Sequence, residues 1–126
     1  MTLRGIRGAI TVEADRQEDI LQATAELLIA IQRANPSLDP ADLASVFFTT
    51  TPDISSIHPA RAARDLGWTL VPMMCAREIP VPGSLPLCIR VLLHWNTPLP
   101  QEQINHIYLR GAASLRPDLL APPTRG

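Results

Sequence analysis

The sequence contains no lysine; all eleven basic residues are arginine. A lysine Schiff base is therefore excluded. Every side-chain cation is permanently charged and fork-shaped, suited to binding carboxylates through paired hydrogen bonds. Cysteine is scarce. Cys75 and Cys88 stand thirteen residues apart and form no CxxC pair, which speaks against a zinc framework or a disulfide scaffold. No apolar run approaches the ~18 residues of a membrane span, and the opening Met1-Thr2-Leu3-Arg4-Gly5-Ile6-Arg7 lacks a signal-peptide core. The expectation is a soluble, cytoplasmic protein. The formal net charge of −1 gives no global field favouring nucleic acid or an acidic membrane. There is no glycine-rich phosphate loop and no nucleophile elbow. His58, His94 and His106 have no metal-ligand spacing. Neither a metal nor a cofactor is expected.

What is present reads as one domain over residues 1–126, with roughly 117–126 as a fraying, proline-rich tail. Residues 3–12 alternate as a strand, with Ile6, Ile10 and Val12 on one face and Arg7, Ala9 and Thr11 on the other. Asp15 and Glu18 suggest a capping box, followed by a helical stripe of Ile20, Leu21, Leu27, Leu28 and Ile31 that Asn35-Pro36 ends. Asp39-Pro40 opens a short helix. Val46–Thr51 is a strand, His58-Pro59 opens a helix that stops near Gly67, and Trp68–Cys75 is a strand candidate with an irregularity or edge at Pro72. Leu87–Trp95 is the clearest strand. Its Leu87, Ile89, Val91, Leu93 and Trp95 form one apolar face, and Cys88, Arg90, Leu92 and His94 form the other. A helical turn at 101–105 and a short strand at 106–109 follow. The fold class this implies is α+β, a mixed β-sheet with helices packed on one face. The second face carries Arg7 and Arg90 yet stays partly apolar, so symmetric self-association is its simplest cover.

Two arginines held by rigid strands on one face suit a substrate with two carboxylates. Taken singly, each candidate also has a plain structural reading. Arg7 and Arg90 could be solvated on an exposed sheet, Glu78 a loop carboxylate in water, Cys75 a buried thiol and Tyr108 a packing residue. Composition and spacing stop at an oligomeric α/β protein with an arginine-rich face for a small organic anion.

Several stretches together resemble the trimeric chorismate mutases, the α/β or bacillus-type class distinct from the all-helical one. They are Arg4-Gly5-Ile6-Arg7-Gly8-Ala9 with Thr11-Val12-Glu13; Thr51-Pro52-Asp53 with Pro59-Ala60-Arg61-Ala62-Ala63-Arg64; Val71-Pro72 with Cys75 and Glu78; Cys88-Ile89-Arg90-Val91; His106-Ile107-Tyr108-Leu109; and Leu115-Arg116-Pro117-Asp118-Leu119. The resemblance covers nearly the whole chain. It implies a homotrimer with a pseudo α/β-barrel core, a site at each subunit interface, chorismate and prephenate as substrate and product, and no cofactor. It also implies roles. Arg90, Glu78 and Cys75 would be catalytic: Arg90 on the ether oxygen and a carboxylate, Glu78 on the ring hydroxyl, Cys75 beside it. Arg7 and Tyr108 would bind carboxylates, with Leu115 and Arg116 near the substrate. A neighbouring subunit would contribute the segments 58–64 and 73–75, and with them His58, Ala60, Arg61, Arg64, Met73, Met74 and Cys75. His58 replaces a usual phenylalanine, Arg61 a common lysine, and Met74 a smaller polar residue. Whether Arg116 closes over the site is left open by the proline-rich tail. Two other readings stand beside this one: a small imine or enamine deaminase built on a related trimer, and a trimer that binds an aromatic acid without turnover.

Overall fold

The computed structural model describes residues 1–115. In chain order the elements are β1 (Thr2–Thr11), α1 (Gln17–Ala34), β2 (Leu43–Thr50), α2 (Ala60–Asp65), β3 (Met73–Arg77), β4 (Cys88–Thr97) and β5 (Ile107–Leu109). They form one five-stranded mixed sheet in the order β3-β2-β4-β1-β5. The central β4 runs antiparallel to β1 and β2, while β3 is parallel to β2 and β5 parallel to β1.

The core lies on the helical side. Ile6 and Ile10 of β1, Val46 and Phe48 of β2, and Ile89, Val91, Leu93 and Trp95 of β4 meet Ile20, Leu27, Leu28 and Ile31 of α1 and Ala60 and Ala63 of α2. Strand alternation and the helical stripe thus select one another. Gly8 lets α1 settle close: a methyl group there would lie 2.9 Å from Ile31 Cδ1 and 3.1 Å from Val91 Cγ1. The opposite face is only partly covered. A small cluster of Ala9, Cys88, Tyr108 and Ala112, with Leu85 and Leu115 against it, occupies one end. Phe47, Leu92 and Met74 are exposed on the same face.

Two local expectations differ from what forms. Asp15 does not cap α1. The helix starts at Gln17 without a side-chain cap, and the Asp15 carboxylate instead accepts from the amides of Ser55 and Ser56 and from the Ser55 hydroxyl. The Ser56 hydroxyl and the Ser55 amide, in that order, hold this carboxyl below the ordinary aspartate range. The strand expected over Trp68–Cys75 begins only at Met73. Trp68 is buried after the α2 stop at Gly67 (φ +94°), and Pro72, which has no N–H for a ladder, precedes β3 at the sheet edge. Arg116 and the tail expected over 117–126 lie outside the described residues. Among the described residues no helix is long and apolar enough to cross a membrane.

Candidate active site

Strand register brings two of the sequence candidates, Arg90 and Tyr108, into one row. Thr49 of β2, Arg90 of β4, Ala9 of β1 and Tyr108 of β5 are successive cross-strand partners. Directly opposed residues point to the same face, here the one away from the helices. Ala9 carries only a methyl group and is fully buried between Arg90 and Tyr108, packed with Cys88, Tyr108 and Ala112. Two residues earlier on β1, Arg7 faces the same side opposite Leu92. Arg7, Phe47, Thr49, Arg90, Leu92 and Tyr108 line a cleft of about 280 Å³.

Glu78 enters from just beyond β3. Its backbone N–H donates to Thr50 O, which holds it against the end of β2. Its Oε2 accepts from the Thr49 hydroxyl at 2.6 Å and lies 3.1 Å from Arg90 Nε. The Nε–H points past that oxygen, so the contact is an ion pair rather than a hydrogen bond. Among the described residues, Arg90 Nε and the Tyr108 hydroxyl are the buried side-chain polar atoms without a hydrogen-bond partner. Buried donors are rarely left so. That both belong to residues lining one cleft marks it as a place built for a polar guest. Behind Arg90, burial pushes the Cys88 thiol up, so it stays neutral and acts as packing.

The remaining candidates fall elsewhere. On β3, Met73 and Cys75 pair with Val46 and Phe48 and face the helical side, while Met74 pairs with Phe47 and faces the open side. Within its own copy Cys75 therefore does not join Arg90 in the arginine cleft, while Glu78, ion-paired with Arg90, lines a neighbouring cavity of about 250 Å³ with Asp53 and Leu85. Cys75 lines a second cleft of about 360 Å³ with His58, Pro59, Thr50 and Ser56. Ala60 is buried, whereas Arg61 and Arg64 are exposed on α2, and Arg61 Nε sits 3.3 Å from Asp65. Leu115 packs against the Tyr108 cluster. Within one chain Arg7, Arg90 and Tyr108 thus line one cleft and His58 and Cys75 another, with Glu78 tied to the first through Arg90.

A family model, chorismate mutase type I, matches residues 3–119. The chain belongs to the chorismate mutase type I family. It is similar to chorismate mutase AroH of Thermus thermophilus, 56% identical over 117 residues that cover 93% of this chain and 96% of that protein. It is also similar to chorismate mutase AroH of Bacillus subtilis, 47% identical over 120 residues covering 94% of each. A solved chorismate mutase from Clostridium thermocellum superposes with a TM-score of 0.83 at 44% identity, covering 86% of this chain and 96% of that one.

In this chorismate mutase-type chain, two residues that line the cleft and one that braces it escape a reading by residue class. Thr49 and Phe47 lie on the same face of β2 as each other; alternation over Val46–Thr51 carries that signal, but a threonine and a phenylalanine in a strand read first as packing. His106 Nδ1 accepts the backbone N–H of Arg7 at 2.9 Å, tying the start of β5 to the strand that carries Arg7. A contact across 99 residues leaves no local mark in the sequence.

Proposed function

We propose that this chain converts chorismate to prephenate, using Arg7, Glu78, Arg90 and Tyr108 of one copy and the second cleft of a neighbouring copy in a homotrimer. The observation that carries the reading is the row Arg90–Ala9–Tyr108, with two buried donors that lack a hydrogen-bond partner beside a single cleft that Arg7 also lines. The substrate is a dianion. Arg7 and Tyr108 bind its carboxylates. Arg90 donates to a carboxylate and to the ether oxygen, and Glu78 accepts from the ring hydroxyl.

The reaction is an intramolecular rearrangement. An ether C–O bond breaks while a C–C bond forms, and no proton moves. The protein has two tasks. One is holding the flexible side arm over the ring, worth a few kcal/mol of the ~7–11 kcal/mol ceiling for ideal positioning. The other is meeting the negative charge that grows on the ether oxygen. A guanidinium anchored mid-sheet does this with little reorganisation, because its charge is permanent and its backbone is fixed on both sides by β1 and β2. No covalent intermediate, metal or cofactor takes part in this scheme.

Two features support a shared site. The arginine cleft alone is small for a pocket that must enclose a ligand, the usual range being ~300–1,000 Å³, and it is open to solvent on one side. The exposed Phe47, Leu92 and Met74 beside it form an apolar surface that a second copy would cover. The neighbour's wall would then be the cleft of His58 and Cys75, with Arg61 and Arg64 of α2 nearby. Both cysteines are free thiols, which suits a reducing cytoplasm.

The test is an absorbance assay of chorismate loss with prephenate identified as product, run beside sedimentation. Turnover by a trimer is expected. A well-folded protein that leaves chorismate unchanged would overturn the reading.

A further inference from the structure

Glu78 is more buried than a loop carboxylate has cause to be, its side chain 17% exposed, and it is oriented by a residue outside the expected site. Thr49 stands directly across from Arg90 on β2, with Ala76 of β3 on its other side. Its hydroxyl donates to Glu78 Oε2 at 2.6 Å, the same oxygen that faces Arg90 Nε at 3.1 Å. The side-chain contacts of Glu78 among the described residues fall on that one oxygen. A β-branched residue in a strand is stiff at χ1, so this hydroxyl is a rigid donor on a rigid element. A charge-assisted bond of this length fixes the carboxylate plane.

We propose that Thr49 is a positioning residue for Glu78. By occupying Oε2 it commits that oxygen to the protein and leaves Oε1 as the single acceptor for a substrate hydroxyl. It also gives Oε2 a neutral donor, which lessens the pull of the carboxylate on Arg90 and leaves the outer guanidinium nitrogens for substrate. Thr49 acts through Glu78, and the inference rests on the reading of Glu78 given above.

Thr49→Val removes the hydroxyl and keeps the shape; Thr49→Ser keeps the hydroxyl. In the full-length assembled protein, Thr49→Val is expected to lower kcat/KM for chorismate by about tenfold, the low end for loss of a hydrogen bond to a charged group. Thr49→Ser recovers most of that loss. The melting temperature and sedimentation of Thr49→Val stay near those of the parent. In a Glu78→Ala background, adding Thr49→Val costs little more, because the residue it positions is gone. If Thr49→Val fails to assemble, Thr49→Ala makes the same comparison. Unchanged kinetics in Thr49→Val overturn the proposal, and so does an equal loss with and without Glu78, while parent turnover in either case leaves the assignment of activity standing. A parent protein that does not turn over chorismate overturns the activity and this inference together.

Discussion

Arg90 sits on the central strand with a directly opposed neighbour on each side, Ala9 on β1 and Thr49 on β2. That placement keeps the guanidinium from following solvent, and Glu78 at 3.1 Å limits its swing further. Its value to the reaction is charge at a fixed point, so a polar side chain without charge should fail. Arg90→Gln is expected to lower kcat by roughly 10²–10³-fold while circular dichroism and assembly stay intact. Near-full turnover in that variant would remove the electrostatic role. At this scale the sequence was informative up to a definite point. Alternation assigned Arg7 and Arg90 to one face, because the period of a strand is two. It could not say that Ala9 lies between Arg90 and Tyr108, since register is set by pairing of strands distant in the chain. Thr49 was passed over for the same reason: its partner Glu78 is 29 residues away.

Elements were readable where their signal is local and misread where a side chain serves another segment. The apolar stripe of α1, the Asp39 cap on Ala41 and the helix after His58-Pro59 all formed as their residues imply. Asp15 looked like a helix cap but anchors the turn at Ser55 and Ser56, beside the cleft that holds His58. Its lowered pKa gives a pH test. The unfolded carboxyl titrates near ~3.9, and the folded one lower. The contribution to stability is therefore complete above the unfolded value and disappears as pH falls through the folded value. Asp15→Asn should melt below the parent at pH 6–7 (roughly neutral conditions, well above both values), and the two curves should converge in acid. A gap that persists or widens in acid would contradict this. Gly8 offers a packing test on the same helix. The added methyl of Gly8→Ala meets Ile31, Val91 and Leu27 at 2.9–3.2 Å. Overpacking of this kind costs about 1–3 kcal/mol, which should appear as a lower denaturant midpoint, and no loss would mean that α1 can lift freely from β1.

For the whole molecule the decisive feature is separation. Arg7, Arg90, Glu78 and Tyr108 gather on the open face, and His58 and Cys75 line a different cleft beyond the sheet edge. A site built from both needs two copies, and that makes an arithmetical prediction. An Arg90→Ala chain would lack the first half but keep the second; an Arg64→Glu chain, altered at an exposed α2 arginine that the family resemblance places against the substrate, would keep the first and damage the second. Each alone should be nearly inactive. If the two are unfolded together in equal amounts and refolded, a site is intact only when its arginine side comes from the Arg64→Glu chain and its helix side from the Arg90→Ala chain. Random mixing in a ring gives about one quarter of the parent sites. Activity restored to that level, with no restoration when the two folded proteins are simply mixed, is the expected outcome. No recovery after co-refolding, with mixed assemblies confirmed by mass, would mean that both residues act within one copy, and the shared site would have to be abandoned.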